Sequence, residues 1–229
     1  MNIVEKVSDY GRHICSYLFP WLIEQRIGGV SPFLEVWLIE GKYQLNTKKA
    51  NYSFGSLHTV FSIVFNNRNI KERTIENVLM LGFGSGSVAS ILQEEYTIPC
   101  KITAVDIDPV VIELGHKYFN ISRFKDLQLI CADAYDFVQQ NQETFDLIVV
   151  DIFVDLDVPS CFNDETFLLS LHRLLSEKGT LFFNKIPYSQ ESIEETDILQ
   201  TRLEKIFSSV EVDKLTIDNT GNWVFVCEK

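Results

Sequence analysis

The sequence lacks the features of several protein classes. No apolar run in its 229 residues approaches the roughly 18 that a membrane span needs, so no membrane association is expected. The five cysteines are scattered, without a close pair or a histidine at ligand spacing, which argues against a metal site and favours reduced thiols in a cytoplasmic protein. No Gly-Lys-Ser/Thr is present, which excludes a P-loop. Because Glu5 and Asp9 occupy the region where a secretory signal is basic, we expect no export.

Positive charge is also scarce. The chain has 20 Lys and Arg against 32 Asp and Glu, which gives a net charge of −12. A surface of this sign repels phosphate backbones, so nucleic acid is not an expected partner. The same surface suits a cationic substrate, although solubility alone would explain it equally well.

Glycine is concentrated where it carries information. The apolar run that begins at Asn77 leads into Gly82, Gly84 and Gly86, and a second apolar run ends at Asp106, 20 residues after the last glycine. This spacing is typical of the first two strands of a nucleotide-binding α/β sheet. The glycines let the backbone turn sharply near a ligand, and the acid is placed to accept hydrogen bonds from ribose hydroxyls.

Apolar periodicity predicts a small N-terminal unit. Apolar residues recur at helical spacing over residues 2–18, and runs rich in β-branched and aromatic residues follow, which predicts one helix and then an antiparallel β-meander. The predicted meander strands cover 21–27, 33–39 and 42–46. A further helix is predicted to bury Leu57, Val60, Phe61, Val64 and Phe65. We place a domain boundary after this unit, which gives domains 1–74 and 75–229.

From residue 77 onward, strand and helix patterns alternate. The predicted strands are 77–82, 101–106, 127–131, 145–151, 179–185, 210–217 and 222–228, and the predicted helices are 86–96, 109–119, 134–141, 164–176 and 192–208. Such alternation indicates a parallel sheet that is covered on both faces. The predicted fold class is therefore α/β, a Rossmann-like sheet that is mostly parallel, with one antiparallel edge strand contributed by the closing hairpin.

Four strand ends of this sheet carry groups that suit a ligand. Ligands of open α/β sheets bind beyond the carboxyl ends of the strands, which here carry the glycine turn, Asp106, Asp133 and Asp151. Asp133 is placed to accept a hydrogen bond from an adenine amine or, equally well, to cap the helix that follows it.

The glycine spacing and the motifs around it resemble a known family. The G-x-G-x-G form, with an acid after the third strand, resembles class I S-adenosylmethionine (AdoMet) transferases. Over roughly residues 33–185 the chain looks like the spermidine synthase family and its shorter bacterial relatives. Three segments carry this resemblance: Leu38-Ile-Glu-Gly-Lys-Tyr-Gln-Leu45, Phe145-Asp-Leu-Ile-Val-Val-Asp151 and Asp151-Ile-Phe-Val-Asp-Leu-Asp-Val-Pro-Ser160.

The resemblance implies a donor, a base and an acceptor side. The donor would be AdoMet or decarboxylated AdoMet, without a metal, and Asp151 would be the general base. The implied donor-binding residues are Gly82, Gly84, Ser85, Gly86, Asp106, Ile107, Asp133, Ala134 and Gln44. The candidates for the acceptor side are Tyr52, His58, Asp155 and Asp157. His58 is equally well placed to pack against or cap a helix, and both acids fit a solvated loop.

Three functions remain open at this point. The first is an AdoMet-dependent transferase that moves a methyl group to a small-molecule acceptor, with an amine as one candidate. The second is an aminopropyltransferase that uses decarboxylated AdoMet and a polyamine. Ser85 stands where such enzymes carry an Asp that binds the donor's amine, which favours methyl transfer. The third is a catalytically silent nucleoside-binding relative, and the N-terminal elements are candidates for a homodimer interface.

Overall fold

The computed structural model describes residues 11–27, 29–30, 33–47, 51–53, 55–154 and 158–229, with residues 51–53 described by their backbone alone. Two sheets organise the chain, one of four strands and one of seven. Among the described residues, no helix combines the length and the apolar character that crossing a bilayer requires. The prediction of domains 1–74 and 75–229 stays a prediction.

The smaller sheet is an antiparallel meander. Its strands, in spatial order, are β1 (Trp21–Arg26), β2 (Leu34–Ile39), β3 (Lys42–Asn46) and β4 (Asn51–Ser53). The first three were predicted, and β4 is an addition. Alternate residues of β2 are buried, as period-two patterning requires of a sheet with one face on the core. Of the helix predicted over residues 2–18, residues 2–10 lie outside the described residues, and residues 11–15 are helical.

The larger sheet forms the centre of the molecule. Its strands are β5 (Asn77–Leu81), β6 (Lys101–Asp106), β7 (Leu127–Cys131), β8 (Phe145–Val150), β9 (Leu175–Lys185), β10 (Ser209–Ile217) and β11 (Thr220–Glu228). Their spatial order is β10-β11-β9-β8-β5-β6-β7. Five strands pair in parallel, and β11 runs antiparallel to both β9 and β10. The predicted mostly parallel sheet with one antiparallel edge is confirmed, and the antiparallel strand there is β11, which lies between β10 and β9.

Helices cover both faces of this sheet. They are α1 (Ser56–Asn67), α2 (Ser87–Ser90, continued by a π-helix over Ile91–Glu95), α3 (Pro109–Tyr118), α4 (Ala134–Gln140), α5 (Glu165–Leu174) and α6 (Gln190–Ile206). Short 3₁₀ helices occupy Ile70–Glu72, Ile121–Arg123 and Ser160–Asn163. Successive residues of β5 alternate between two clusters: Val78 and Met80 pack with α1, α2 and α3, whereas Leu79 and Leu81 pack with α4, α5 and α6. This alternation follows from the pleat of a strand buried on both sides.

The buried face predicted for α1 is confirmed residue by residue. Phe61 and Phe65 are fully buried and 5.7 Å apart between ring centroids, and Phe65 makes an edge contact with Phe182 of β9. Aromatic pairs of this geometry add to the stabilisation that comes from area burial alone. Helix α1 is thereby fixed on the central sheet, with Leu57 near its first turn.

Polar contacts join the meander to α3. The Glu24 carboxylate accepts hydrogen bonds from Lys117 Nζ at 2.6 Å and from the Tyr118 hydroxyl, and Arg26 makes two bonds to Glu113. Burial alone would raise the pKa of Glu24, but these hydrogen bonds outweigh it and lower the pKa to about 2. The meander is therefore anchored beside the helix that follows β6.

Asp108 provides a second anchor. It is 2% exposed and caps α3 by accepting from Val110 N at 2.9 Å. The same carboxylate accepts from Gly29 N at 3.0 Å and from Val30 N at 3.2 Å, in the connection between β1 and β2. One acid thus serves both a helix cap and a long-range contact.

We expect Asp108→Ala to lower the free energy of unfolding by about 2–3 kcal/mol, because the cap and two further backbone bonds are lost together. Ser189→Ala, which removes the capping box of α6, is the matched control and should cost about 1 kcal/mol. Urea denaturation of both variants measures the difference. Equal losses would show that the bonds from residues 29 and 30 contribute nothing.

Candidate functional site

A cavity opens where β5, β6, β7 and β8 end. Gly82 and Gly84 follow β5, Asp106 ends β6, Asp133 follows β7 and Asp151 follows β8, and all five line the cavity. Their convergence follows from parallel pairing, since Leu81 is level with both Val105 and Val150. The rest of the described lining is mainly apolar: Val30, Leu57, Val105, Ile107, Asp108, Val111, Ala134, Ile152, Phe153, Val154, Pro159, Cys161 and Phe162.

The glycine turn is constrained by the protein itself. Gly82 has a φ of +85°, and a Cβ built on it would lie 2.1 Å from the backbone oxygen of Asp151. Gly86 has a φ of +92°, and its Cβ would lie 2.6 Å from the Phe124 ring. Both positions therefore need glycine, by conformation and by space. Because Gly82 has no Cβ, the chain at the end of β5 can lie directly against the backbone at the end of β8.

Asp106 is held by backbone groups on both sides. Its Oδ2 accepts from Gly84 N at 2.9 Å, and its Oδ1 accepts from Asp108 N at 3.0 Å. Burial raises the pKa of this carboxyl to about 6, although the two hydrogen bonds oppose the rise. The backbone of Phe83 also donates to this carboxylate, which has about four acceptor sites and can therefore still accept from a sugar hydroxyl.

Asp151 has the more strongly shifted carboxyl. Burial raises its pKa to about 7, and a hydrogen bond from Asn184 Nδ2 to Oδ1, 3.0 Å long, opposes the rise. A carboxylate with a pKa near the ambient pH is suited to accept a proton from a reacting group. This property supports the predicted role of Asp151 as a base.

Asp133 has one of the two roles that the sequence left open, that of a helix cap, and its contact with an adenine amine stays a prediction. Its Oδ1 accepts from Tyr135 N at 2.7 Å and caps α4, while the residue also lines the cavity. Ala134 and Ile107 line the cavity as well, and Ile107 is 43% exposed. An apolar side chain next to a carboxylate suits a flat base, which packs on the apolar side chain and makes one polar contact at its edge.

Four of the predicted residues are not among the described residues that line this cavity. Ser85 is fully buried, and neither it nor Gly86 is among the described residues that line the cavity. The Gln44 side chain lies beside Gly55, 3.2 Å from where a Cβ would stand on that glycine. His58 Nε2 lies 2.6 Å from Glu95 Oε1, in a contact between α1 and the π-helix rather than at the cavity.

The remaining acceptor-side predictions stay predictions. Asp155 and Asp157 lie outside the described residues, and for Tyr52 the description covers only the backbone, within β4. Val154 and Val158, on either side of the two acids, are partly buried and buried respectively. Val154 and Pro159, on the two sides of these acids, both line the cavity.

Sequence reasoning missed Asp108 and Asn184. A signal for Asp108 was present, because Asp followed by Pro109 marks the beginning of a helix. Asn184 carries a weaker signal, a lone amide in the apolar run Leu181-Phe-Phe-Asn184. No local pattern could have identified its partner Asp151, which is 33 residues away in sequence.

The cavity is negatively charged. The described lining contains four acids, Asp106, Asp108, Asp133 and Asp151, and none of the described lining residues is Lys, Arg or His. An apolar cavity with carboxylates of this density favours a ligand that carries positive charge. A sulfonium nucleoside meets this requirement through its positive charge, and Asp106 can accept hydrogen bonds from its sugar hydroxyls.

Relatives of known activity come from two groups of transferases. The chain is 28% identical, over 66% of its length and 23% of the relative's, to a protein of Drosophila pseudoobscura pseudoobscura named "eEF1A lysine and N-terminal methyltransferase homolog". It is 30% identical to the polyamine aminopropyltransferase of Vibrio vulnificus, over 50% of this chain and 39% of that protein. The chain thus spans well under half of each of these relatives.

A solved structure shows the same fold. Human methyltransferase-like protein 13, in complex with SAH, superposes with a TM-score of 0.62 at 20% identity, covering 76% of this chain and 82% of that chain. The family model described as "Spermine/spermidine synthase domain" matches residues 63–228, which include the central sheet and every described cavity residue except Val30 and Leu57. The chain therefore belongs to the family of the spermine/spermidine synthase domain.

Proposed function

We propose that this chain is an AdoMet-dependent group transferase that moves a methyl group to a small-molecule acceptor, with Asp151 next to the reacting centre. The observation that carries this proposal is the convergence of the glycine turn, Asp106 and Asp151 on one acidic cavity. The relatives named above, methyltransferases and aminopropyltransferases, support the transferase class.

The donor side rests on four groups of this chain. Gly82 and Gly84 allow close approach of the backbone, Asp106 accepts from the ribose hydroxyls, and Asp133 accepts from the adenine amine beside Ile107. AdoMet supplies a sulfonium, which already carries a good leaving group, so the protein need not donate a proton to it. Alignment and exclusion of water are then the protein's main contributions.

Asp151 acts on the acceptor side. An amine with a pKa near 10 must lose a proton before its lone pair can attack. Asp151 is positioned at the cavity and has a pKa of about 7, so it is ionised at slightly alkaline pH and can take that proton. Apolar Phe153 and Phe162 line the same cavity and keep water from this region.

Aminopropyl transfer is the second candidate, and one observation favours it. Because none of the described lining residues is a cation, the carboxylate of AdoMet would have to rely on backbone N–H groups, whereas decarboxylated AdoMet lacks that carboxylate. Against it stands Ser85, which is fully buried at the position where the resemblance places an amine-binding acid. We therefore keep methyl transfer first.

The two reactions leave different products. Removal of the methyl group from AdoMet leaves S-adenosylhomocysteine, whereas removal of the aminopropyl group from the decarboxylated donor leaves methylthioadenosine. The test is to incubate the full chain with each donor and a panel of primary amines and to identify the nucleoside product by mass spectrometry. S-adenosylhomocysteine supports the proposal, methylthioadenosine replaces it with the second candidate, and neither product favours the silent relative.

The donor side has its own prediction. We expect Asp106→Asn to weaken donor binding by about 10- to 100-fold, because a charged acceptor of two ribose hydrogen bonds is lost. Asp146→Asn is the matched control, since that carboxylate also accepts from two backbone N–H groups, of Glu76 and Asn77, at the other end of the sheet. Calorimetric titration should show unchanged affinity in the control, and equal weakening in both variants would contradict the ribose role.

A further inference from the structure

We propose that Asn184 is a positioning residue that holds the Asp151 carboxylate in its orientation at the cavity, and that Asn222 in turn fixes Asn184. This inference rests on the proposed function of Asp151 as a base. It adds two residues that lie behind the cavity, on β9 and β11, to those that determine the reaction. Neither is among the described residues that line the cavity.

The hydrogen bonds determine which way the Asn184 side-chain amide faces. Asn184 Nδ2 donates to Asp151 Oδ1 over 3.0 Å and to Asn222 Oδ1 over 3.3 Å. A carboxylate oxygen and an amide oxygen can only accept, so the nitrogen of Asn184 must face both of them. The orientation of the Asn184 amide is thereby fixed by its partners, and one oxygen of Asp151 is tied to β9 while the other stays available for the acceptor.

The position of Asn184 makes a purely structural role a poor explanation. Its side chain is 0% exposed and follows Phe182 and Phe183, which are also fully buried, on a strand paired on both sides. Burying an amide in such surroundings costs free energy unless its hydrogen bonds are satisfied. Its Oδ1 has no hydrogen-bond partner among the described residues, so part of the cost of burying this amide is not offset.

Asn222 extends the contact to the closing hairpin. It is 4% exposed near the beginning of β11, and its Nδ2 donates to Thr220 O over 3.4 Å. In the register of the sheet, Val224 of β11 is level with Asn184 of β9. The hairpin thus sets where Asn222 stands, and Asn222 sets where the Asn184 amide points.

Among the groups around Asp151, Asn184 is the one that opposes the effect of burial on the pKa of Asp151. Across the cavity stand the acids Asp106, Asp108 and Asp133, and β9 adds Lys185, whose Nζ lies 4.0 Å from Glu195. Burial raises the pKa of Asp151, and the hydrogen bond from Asn184 is what lowers it again. Loss of this bond should therefore shift the titration of Asp151 upward.

The test is a ¹³C NMR titration of the Asp151 carboxyl in the full chain, assigned by its absence in Asp151→Asn. In Asn184→Leu we expect the pKa of Asp151 to rise by about one unit, since a hydrogen bond to the charged form is lost. In Asn222→Leu, which keeps the direct bond, we expect a rise of roughly half a unit. If turnover is found, the acidic limb of its pH profile should move by the same amounts.

Asn163→Leu is the matched control. Asn163 is also a buried asparagine whose Oδ1 has no partner among the described residues, and it is not among the described residues that line the cavity. It should leave the pKa of Asp151 where it is. An unchanged pKa in folded Asn184→Leu would overturn the inference, and where that variant does not fold, an unchanged pKa in Asn222→Leu would do so.

The titration also separates this inference from the proposed function. The carboxyl signal can be followed without a donor, an acceptor or turnover. A shifted pKa together with no binding of AdoMet or of its decarboxylated form would uphold the contact and contradict the transferase. Donor binding together with an unshifted pKa would uphold the transferase and contradict the contact.

Discussion

Replacement of Asp151 by asparagine is expected to lower turnover by about 10²- to 10⁴-fold, the range typical of losing a general base. Asparagine keeps the size of the side chain and can still accept from Asn184, but it cannot take a proton. Donor affinity should stay within about twofold, because the donor's sugar and base contact other residues. Steady-state kinetics with the acceptor found by product analysis, together with calorimetry, measures both quantities.

The same variant has a consequence for stability. A carboxyl whose pKa is about 7 in the folded chain and 3.8 as a free group favours the folded state only while protonated, so stability falls as pH rises from about 4 through about 7. Because asparagine does not ionise, the Asp151→Asn variant does not lose stability in this way as the pH rises. At pH 8 its free energy of unfolding should exceed that of the unsubstituted chain by about 1–2 kcal/mol, after allowance for partial access to water. At pH 4 the two should be equal.

Asp164→Asn is the control for Asp151→Asn. Asp164 likewise accepts from an N–H group, here the backbone N–H of Phe167, but it caps α5 and is not among the described residues that line the cavity. Asparagine is an equally good cap, so activity and stability should both be unchanged. Unchanged turnover in Asp151→Asn would contradict the role of Asp151 as a base.

Gly82→Ala is expected to have the largest effect on folding. A Cβ at this position would lie 2.1 Å from the Asp151 carbonyl oxygen and 2.7 Å from its carbonyl carbon, which are backbone atoms that cannot move without shifting the end of β8. The φ of +85° adds strain for any residue with a Cβ. We expect a loss of at least about 4 kcal/mol of unfolding free energy, or no folded protein.

Gly221→Ala is the matched control for Gly82→Ala. Nothing lies within 4 Å of where its Cβ would stand, and it is not in the left-handed region. Its unfolding free energy should be unchanged or higher by up to about 1 kcal/mol, because alanine restricts the unfolded chain. Guanidinium denaturation of both variants gives the comparison, and a Gly82→Ala variant as stable as Gly221→Ala would show that β5 and β8 do not meet as described.

The central sheet was predictable because its parallel strands are short apolar runs, and the inner strands β5, β6 and β8 are largely buried. The predictions for 101–106 and 127–131 match β6 and β7 residue for residue. The beginning of β9 was placed at 179, whereas the strand begins at Leu175, since Glu177 and Lys178 interrupt the apolar pattern. The prediction of helix over 86–96 was correct in extent, but the pattern of side chains does not reveal the change to π-helical bonding at Ile91.

The candidate site was predictable where strand ends determine it. Gly82, Asp106, Asp133 and Asp151 each follow or end a strand, so parallel pairing alone brings them together. His58 shows the limit of this reasoning, because its partner Glu95 belongs to a π-helix 37 residues later in sequence. The bond between Asn184 and Asp151 was likewise beyond prediction, since it depends on which side chains face each other across two strands.

Calorimetric titration of the full chain with AdoMet, with decarboxylated AdoMet and with NAD tests the central claim most directly. We predict saturable binding of AdoMet at one site, weaker binding of the decarboxylated form and no binding of NAD. Preference for the decarboxylated form would move the reaction to aminopropyl transfer. Binding of neither sulfonium would contradict the account, since the glycine turn, Asp106 and Asp133 would then not form a donor site.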